Sequence, residues 1–226
     1  MEAMMASPFM GIVLCLVAYQ IGLKVHKTTG VAVLNPLLIA IGIVIIVIQT
    51  CHIPLEAFNK GGDLINLFLG PATVALAIPM YEHLETLKTN ILPILISTAV
   101  GALTSITSVI LLCKLFGISD TITASLIPKS VTTPIAIEVA SKQGGIAGIT
   151  IGAVVITGIL GAVVAPSMIK VLKLEKHSVA AGLAIGASSH AMGTSKAIQI
   201  GELEGAMSGL AIGMTGIFTV LFSLFL

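Results

Sequence analysis

The chain has 226 residues, 56% of them hydrophobic and only 9% charged, with a net charge of +1 and a mean hydropathy of +1.12. That balance lies outside the range of soluble domains, and without a basic patch it excludes a nucleic-acid-binding role. All 11 basic residues are lysines, so any anion must be met by Lys, His, hydroxyls or helix N-termini and not by a bidentate Arg clamp.

In chain order, the opening "MEAMMASPF" lacks the basic start of a signal peptide, and residues 8–23 follow as a short candidate span flanked by Gln20 and Lys24. Segments 31–50, 91–113, 146–168 and 206–226 are each apolar over the roughly 20 residues that a helix needs to cross a bilayer. An integral, multi-pass membrane protein is expected, treated as one transmembrane domain over 1–226. Cys15, Cys51 and Cys113 are odd in number and lie in apolar surroundings, which suits buried, inert thiols.

Three apolar segments are interrupted. Residues 64–81, "LINLFLGPATVALAIPMY", contain Gly70, Pro71 and Pro79, with Asn66 and Thr73 as neutral polar groups to line a cavity. Residues 123–142, "TASLIPKSVTTPIAIEVASK", place Lys129 and several hydroxyls between Pro128 and Pro134. Residues 180–198, "AAGLAIGASSHAMGTSKAI", are rich in Gly and Ser around His190. A proline costs about 3 kcal/mol inside a helix, and broken backbone survives at membrane depth only when buried or facing a wet cavity. The competing reading is that these residues merely kink helices and let them approach closely. The stretch between the first break and the next span, "YEHLETLK" at 81–88, reads as a solvated loop.

Element types repeat with an offset of about 116 residues: broken segment 64–81 overlies 180–198, and spans 91–113 and 206–226 follow them. The halves are then about 1–116 and 117–226. With 64–81 and 180–198 re-entrant, the halves are inverted. Lys24, Lys27, Lys114, Lys170, Lys173, Lys176 and Lys196 then fall on the inside, against Lys60, Lys88 and Lys142 outside, as the positive-inside rule prefers. The fold class expected is an all-α polytopic membrane protein with two inverted repeats and proline- or glycine-broken, re-entrant helices, the pattern of a secondary transporter with a midplane site.

Lys129 is the sharpest position, because a charge near the bilayer centre must face a cavity or a partner. Ser130, Thr132 and Thr133 surround it, and the turn after Pro134 begins a half-helix whose N-terminus favours anions. Ser189, His190 and Thr194 complete a candidate substrate-binding set from the third broken segment. His190, Glu138 and Glu204 are candidates for proton coupling or gating, against structural readings: His190 as a hydrogen-bonder, Glu138 as a partner of Lys129 or Lys142, Glu204 as part of a solvated loop. No zinc spacing, phosphate loop, nucleophile elbow or pair of intramembrane acids is present, so no enzyme activity, metal or cofactor is expected.

Three motifs, "LGPATVALAIPMY", "IPKSVTTPIAIEVA" and "GASSHAMGTSKAIQIGELEGAMSGLAIG", resemble the LrgB/CidB family of bacterial inner-membrane proteins over essentially the whole chain. The chain is also similar to the C-terminal half of the plant plastidal glycolate/glycerate translocator. The resemblance implies one of two functions. One is secondary transport of small monocarboxylates of the pyruvate, glycolate or glycerate class, by alternating access, with a proton as candidate coupling ion. The other is antiholin-like or holin-like regulation of murein hydrolases and cell lysis. It also implies a bacterial cytoplasmic (inner) membrane location and an LrgA/CidA-like membrane partner, and a homo-oligomer, a dimer, is expected. A holin-like pore needs no proline-broken core, whereas a carrier needs a small, positive, hydroxyl-lined site, so the residues favour transport.

Overall fold

The computed structural model describes all residues except 1–6, 31–33, 69–70, 72–73 and 76, and every element among the described residues is helical. They form two compact units, Met1–Ala75 and Leu76–Leu226.

In the first unit, α1 (Pro8–Thr29) carries proline in its first turn and ends on Gly30, whose φ of 65° lets its N–H reach the His26 carbonyl at 2.9 Å. Its 22 residues measure about 33 Å, so the short span expected at 8–23 is a full one. Lys24 and Lys27 extend it because long amines snorkel from a helix end. The next helix, α2 (Pro36–Thr50), starts later than the apolar run, because Asn35 Oδ1 accepts from Leu37 N at 2.9 Å and Pro36 takes the first helical position. At 15 residues, about 22 Å, α2 is shorter than a hydrocarbon core. It folds back on α1, with Gly22 against the Pro36 backbone, and α3 (Leu55–Asn66) meets α1 where Gly11 faces Phe58 and Gly61.

The second unit begins with two short helices, α4 (Ala77–Glu82) and α5 (Leu84–Thr89), so the 81–88 stretch expected as a loop is largely helical. After them come α6 (Ile91–Leu115), α7 (Asp120–Leu126), α8 (Thr133–Lys142), α9 (Ala147–Val171), a 3-10 turn at Leu174–Lys176, α10 (Ser178–Ile200) and α11 (Glu202–Ser223). Helices α1, α6, α9 and α11 are long and apolar enough to cross a membrane, and the chain is a multi-pass membrane protein.

Two re-entrant hairpins separate the crossing helices of this unit. A straight path from Ala124 to Ala140 would part them by more than 20 Å. Instead a Cβ at Gly145 would lie 3.1 Å from the Ala124 backbone and 3.0 Å from the Ala140 carbonyl, and Ser125 Oγ accepts from Ile146 N at 2.8 Å. The chain therefore enters through α7, turns at 127–132 and returns through α8. Likewise α10 is not straight: His190 sits at φ 43°, ψ −140°, and Gly193 packs onto the Ile185 side chain and carbonyl. Ala181, Ile185 and Ala197 share one cluster, so segments 178–189 and 191–200 run back to back around a tip at His190.

The hairpins enter from opposite faces. Gln143 Nε2 donates to the Ser223 carbonyl at 3.2 Å, and Phe222 packs with Cys113, which puts the ends of α6, α8 and α11 on one face. On the other face, Leu87 and Val179 join Leu203 around one cluster, gathering the starts of α6, α10 and α11. Lysine sidedness changes accordingly. Lys114 and Lys142, expected on opposite sides, share a face, because the α7–α8 segment turns back and does not cross. Lys88 joins Lys170, Lys173, Lys176 and Lys196 on the other. The expected inverted duplication is not confirmed: α1 is an unbroken helix where its mate is a hairpin, and the centre of the 64–81 break lies outside the described residues.

Candidate functional site

The first hairpin's tip is built by its prolines. Pro128, buried, ends the run from α7, and the next residues form stacked turns, with Lys129 N bonding the Leu126 carbonyl at 3.1 Å and Val131 N the Pro128 carbonyl at 3.3 Å. Thr132 precedes the first turn of α8, where Pro134 is tolerated because that turn's N–H groups have no helical partner. The second tip is built by small residues. Gly158 and Gly161 of α9 leave room that no side chain could share: a Cβ at Gly158 would stand 2.6 Å from His190 Cε1, and one at Gly161 would overlap the Ser189 side chain. His190 holds a left-handed backbone that non-glycine residues rarely adopt, the kind of strain that persists only where surrounding structure fixes it.

Both tips lie at mid-depth. Ser130 Oγ is 2.9 Å from Ser105 Oγ, and Ser105 stands about 21 Å from one end of α6 and about 15 Å from the other at 1.5 Å per residue. Ser189 rests on Gly161, close to the middle of α9. Lys129 Nζ donates to Ser130 Oγ at 3.3 Å.

The tips face one cavity of 1190 Å³ within the second unit, whose deep end is formed by Ser105, Lys129, Ser130, Thr157, Ser188 and Ser189. It runs along one stripe of α6 through Thr104, Val100 and Ser97 to Asn90, and opens beside Lys176 and His177 on the face that carries most of the unit's lysines. Among the described residues that line it there is no Asp or Glu, and the formal charges they bring are positive.

A donor count shows what the deep end can hold. An ammonium has three donors, of which Lys129 uses one on Ser130. The Ser105–Ser130 pair shares one hydroxyl hydrogen and has a second to spare. Ser188 spends its hydrogen on the Ala184 carbonyl at 2.8 Å, so Ser189, 2.9 Å away, donates to Ser188 and keeps acceptor lone pairs. One pole therefore offers donors and charge, and the other offers acceptors. This suits a carboxylate with a hydroxyl attached.

Of the residues singled out from the sequence, Lys129, Ser130 and Ser189 line this cavity. The others stand elsewhere. Thr132 and Thr133 begin α8 behind the tip. His190, 4% exposed, donates Nε2–H to the Val154 carbonyl at 3.0 Å, because a carbonyl can only accept. Thr194 is buried between the His190 carbonyl and Ser208 Oγ, at 3.0 and 2.7 Å. Glu138 is exposed on α8, and Glu204 sits in the first turn of α11 with its carboxylate folded against Gly201, a favourable place for an anion. Asn66 and Pro71 are exposed in the first unit, and Thr73 lies outside the described residues. Sequence reasoning missed the α6 stripe. Its signal was present, since Asn90, Ser97, Thr104 and Ser105 recur at helical spacing on one face of an apolar span.

Among known proteins, residues 15–226 match the LrgB-like family. The chain is 34% identical over 215 residues, 95% of its own length and 93% of the relative's, to the antiholin-like protein LrgB of Bacillus mycoides. The antiholin-like LrgB proteins of Bacillus cereus and Bacillus anthracis match to the same extent. No solved structure matches the chain.

Proposed function

The chain belongs to the LrgB-like family, and we propose that it is a secondary transporter of small monocarboxylates in a bacterial cytoplasmic membrane. The observation that carries this reading is the convergence of two oppositely inserted hairpins on a mid-depth cavity whose deep charge is Lys129. In this reading the substrate carboxylate meets Lys129 with Ser105 and Ser130, and a hydroxyl on the neighbouring carbon meets Ser188 and Ser189. Glycolate and glycerate then suit the site better than pyruvate. By the positive-inside rule the lysine-rich face is cytoplasmic, so the cavity is open inward. The α7–α8 tip forms its floor, where Val131, Ala136 and Val154 pack together. Alternating access requires that floor to part while the α10 hairpin closes. No enzymatic step is assigned. A second copy and an LrgA/CidA-like protein are the partners proposed.

The relatives' names favour a second reading, an antiholin-like regulator of murein hydrolases and lysis. The two are compatible if lysis control follows from moving acids across the membrane. Parallel assays of labelled acid uptake and of dye leakage in proteoliposomes separate them. Selective uptake without leakage supports the carrier; unselective dye release with no acid preference supports a pore-forming role.

A further inference from the structure

The cavity is too large for the small acid that its deep end fits. At 1190 Å³ it exceeds the ~300–1,000 Å³ typical of pockets for drug-sized ligands, so a short carboxylate fills only one end. Between the polar floor at Lys129 and the polar mouth at Asn90, Lys176 and His177, the walls are apolar: Val100 and Pro93 on α6 face Leu183, Ala184 and Val179 on α10. Among the described lining residues Ser97 is the one polar side chain of that middle zone, which covers about 11 Å of α6 from Pro93 to Val100. A cation at the deep end, apolar walls above it and a polar rim match an amphipathic anion.

We propose that the cavity binds unbranched medium-chain carboxylates, with the head group at Lys129 and the tail along the Val100–Leu183 sleeve, and that such acids occupy the path of smaller ones. This rests on the reading of Lys129 as the anion anchor. The tail's contribution is separate from it, because burying apolar carbon is favourable wherever the sleeve is dry and needs no charge.

The test uses full-length protein in lipid nanodiscs, with empty nanodiscs as the blank for partitioning, and titrates butanoate, hexanoate and octanoate. Affinity should rise about fourfold per added CH2. Val100→Asn, a lining position that is not part of a buried core, should flatten that gradient. Lys129→Gln should weaken all three acids by about tenfold while keeping the gradient. Equal affinities across the series in folded wild-type protein overturn the proposal, and so do unchanged affinities in Lys129→Gln. A chain-length gradient without glycolate uptake upholds the inference and sinks the carrier reading. Glycolate uptake without a gradient does the reverse.

Discussion

The side-chain oxygens of Ser105 and Ser130 lie 2.9 Å apart, joining an unbroken crossing helix to the tip of a re-entrant hairpin. That one bond fixes the depth of Lys129, because α6 acts as a ruler with 1.5 Å marks. It also makes Ser130 a shared acceptor, receiving the Lys129 ammonium on one side and pairing with Ser105 on the other.

Ser105 and Ser130 should therefore act as a unit. Ser105→Ala is expected to raise the KM for glycolate about fivefold, the worth of one neutral hydrogen bond of about 1 kcal/mol. Ser130→Ala should cost more, since it also frees Lys129. The double variant should cost less than the sum of the two single changes, because both remove the same Ser105–Ser130 bond. Independent, additive effects in uptake kinetics would show that the bond does not organise the site.

The acceptor pole has its own signature. Ser189→Ala removes the hydroxyl that keeps lone pairs toward the cavity, and so should weaken glycolate and glycerate while changing pyruvate little. Competition among the three acids in one uptake assay measures the ratio directly. An equal loss for all three would remove the assigned role of Ser189.

Glycines in α9 should divide sharply by position. At Gly161 a Cβ overlaps Ser189, and at Gly158 it meets the His190 ring, so Gly161→Ala and Gly158→Ala should each cost about 1–3 kcal/mol by overpacking. Gly152, with nothing within 4 Å of the added carbon, should accept alanine without loss. Thermal melting of the three variants in one detergent makes the comparison.

Hairpin reversal predicts labelling from one side. In a background without Cys15, Cys51 and Cys113, cysteines at Ser119 and Lys142 should react with an impermeant maleimide from the same face of the membrane. A cysteine at Glu175 should react from the opposite face. Labelling of the first two from opposite faces would mean that the α7–α8 segment crosses.

Some of this was legible in the sequence, and for physical reasons. Pro128 and Pro134 remove backbone donors at known places, so the break at 128–134 and the position of Lys129 could be read directly. The break at 180–198 showed only as glycine and serine content, and its tip at His190 depends on Gly158 and Gly161 from another helix. Whether a broken helix crosses or returns is decided by contacts such as Gly145 with Ala124, which no local pattern encodes. For that reason Lys114 and Lys142 were placed on opposite sides. The α6 stripe was hidden for a different reason: averaging hydropathy over a span erases a few hydroxyls on one face. Conversely, His190 and Thr194 looked available from their polarity, yet His190 Nε2 is spent on the Val154 carbonyl and the Thr194 hydroxyl on the His190 carbonyl and Ser208.

On the proposed function, Lys129 supplies the charge that draws a small carboxylate to mid-membrane. Uptake of labelled glycolate into proteoliposomes, comparing wild type with a folded Lys129→Gln variant, tests it most directly. Wild type should show saturable uptake, blocked by excess unlabelled glycerate, and the variant a KM raised at least about tenfold. Uptake by Lys129→Gln equal to that of wild type would contradict it.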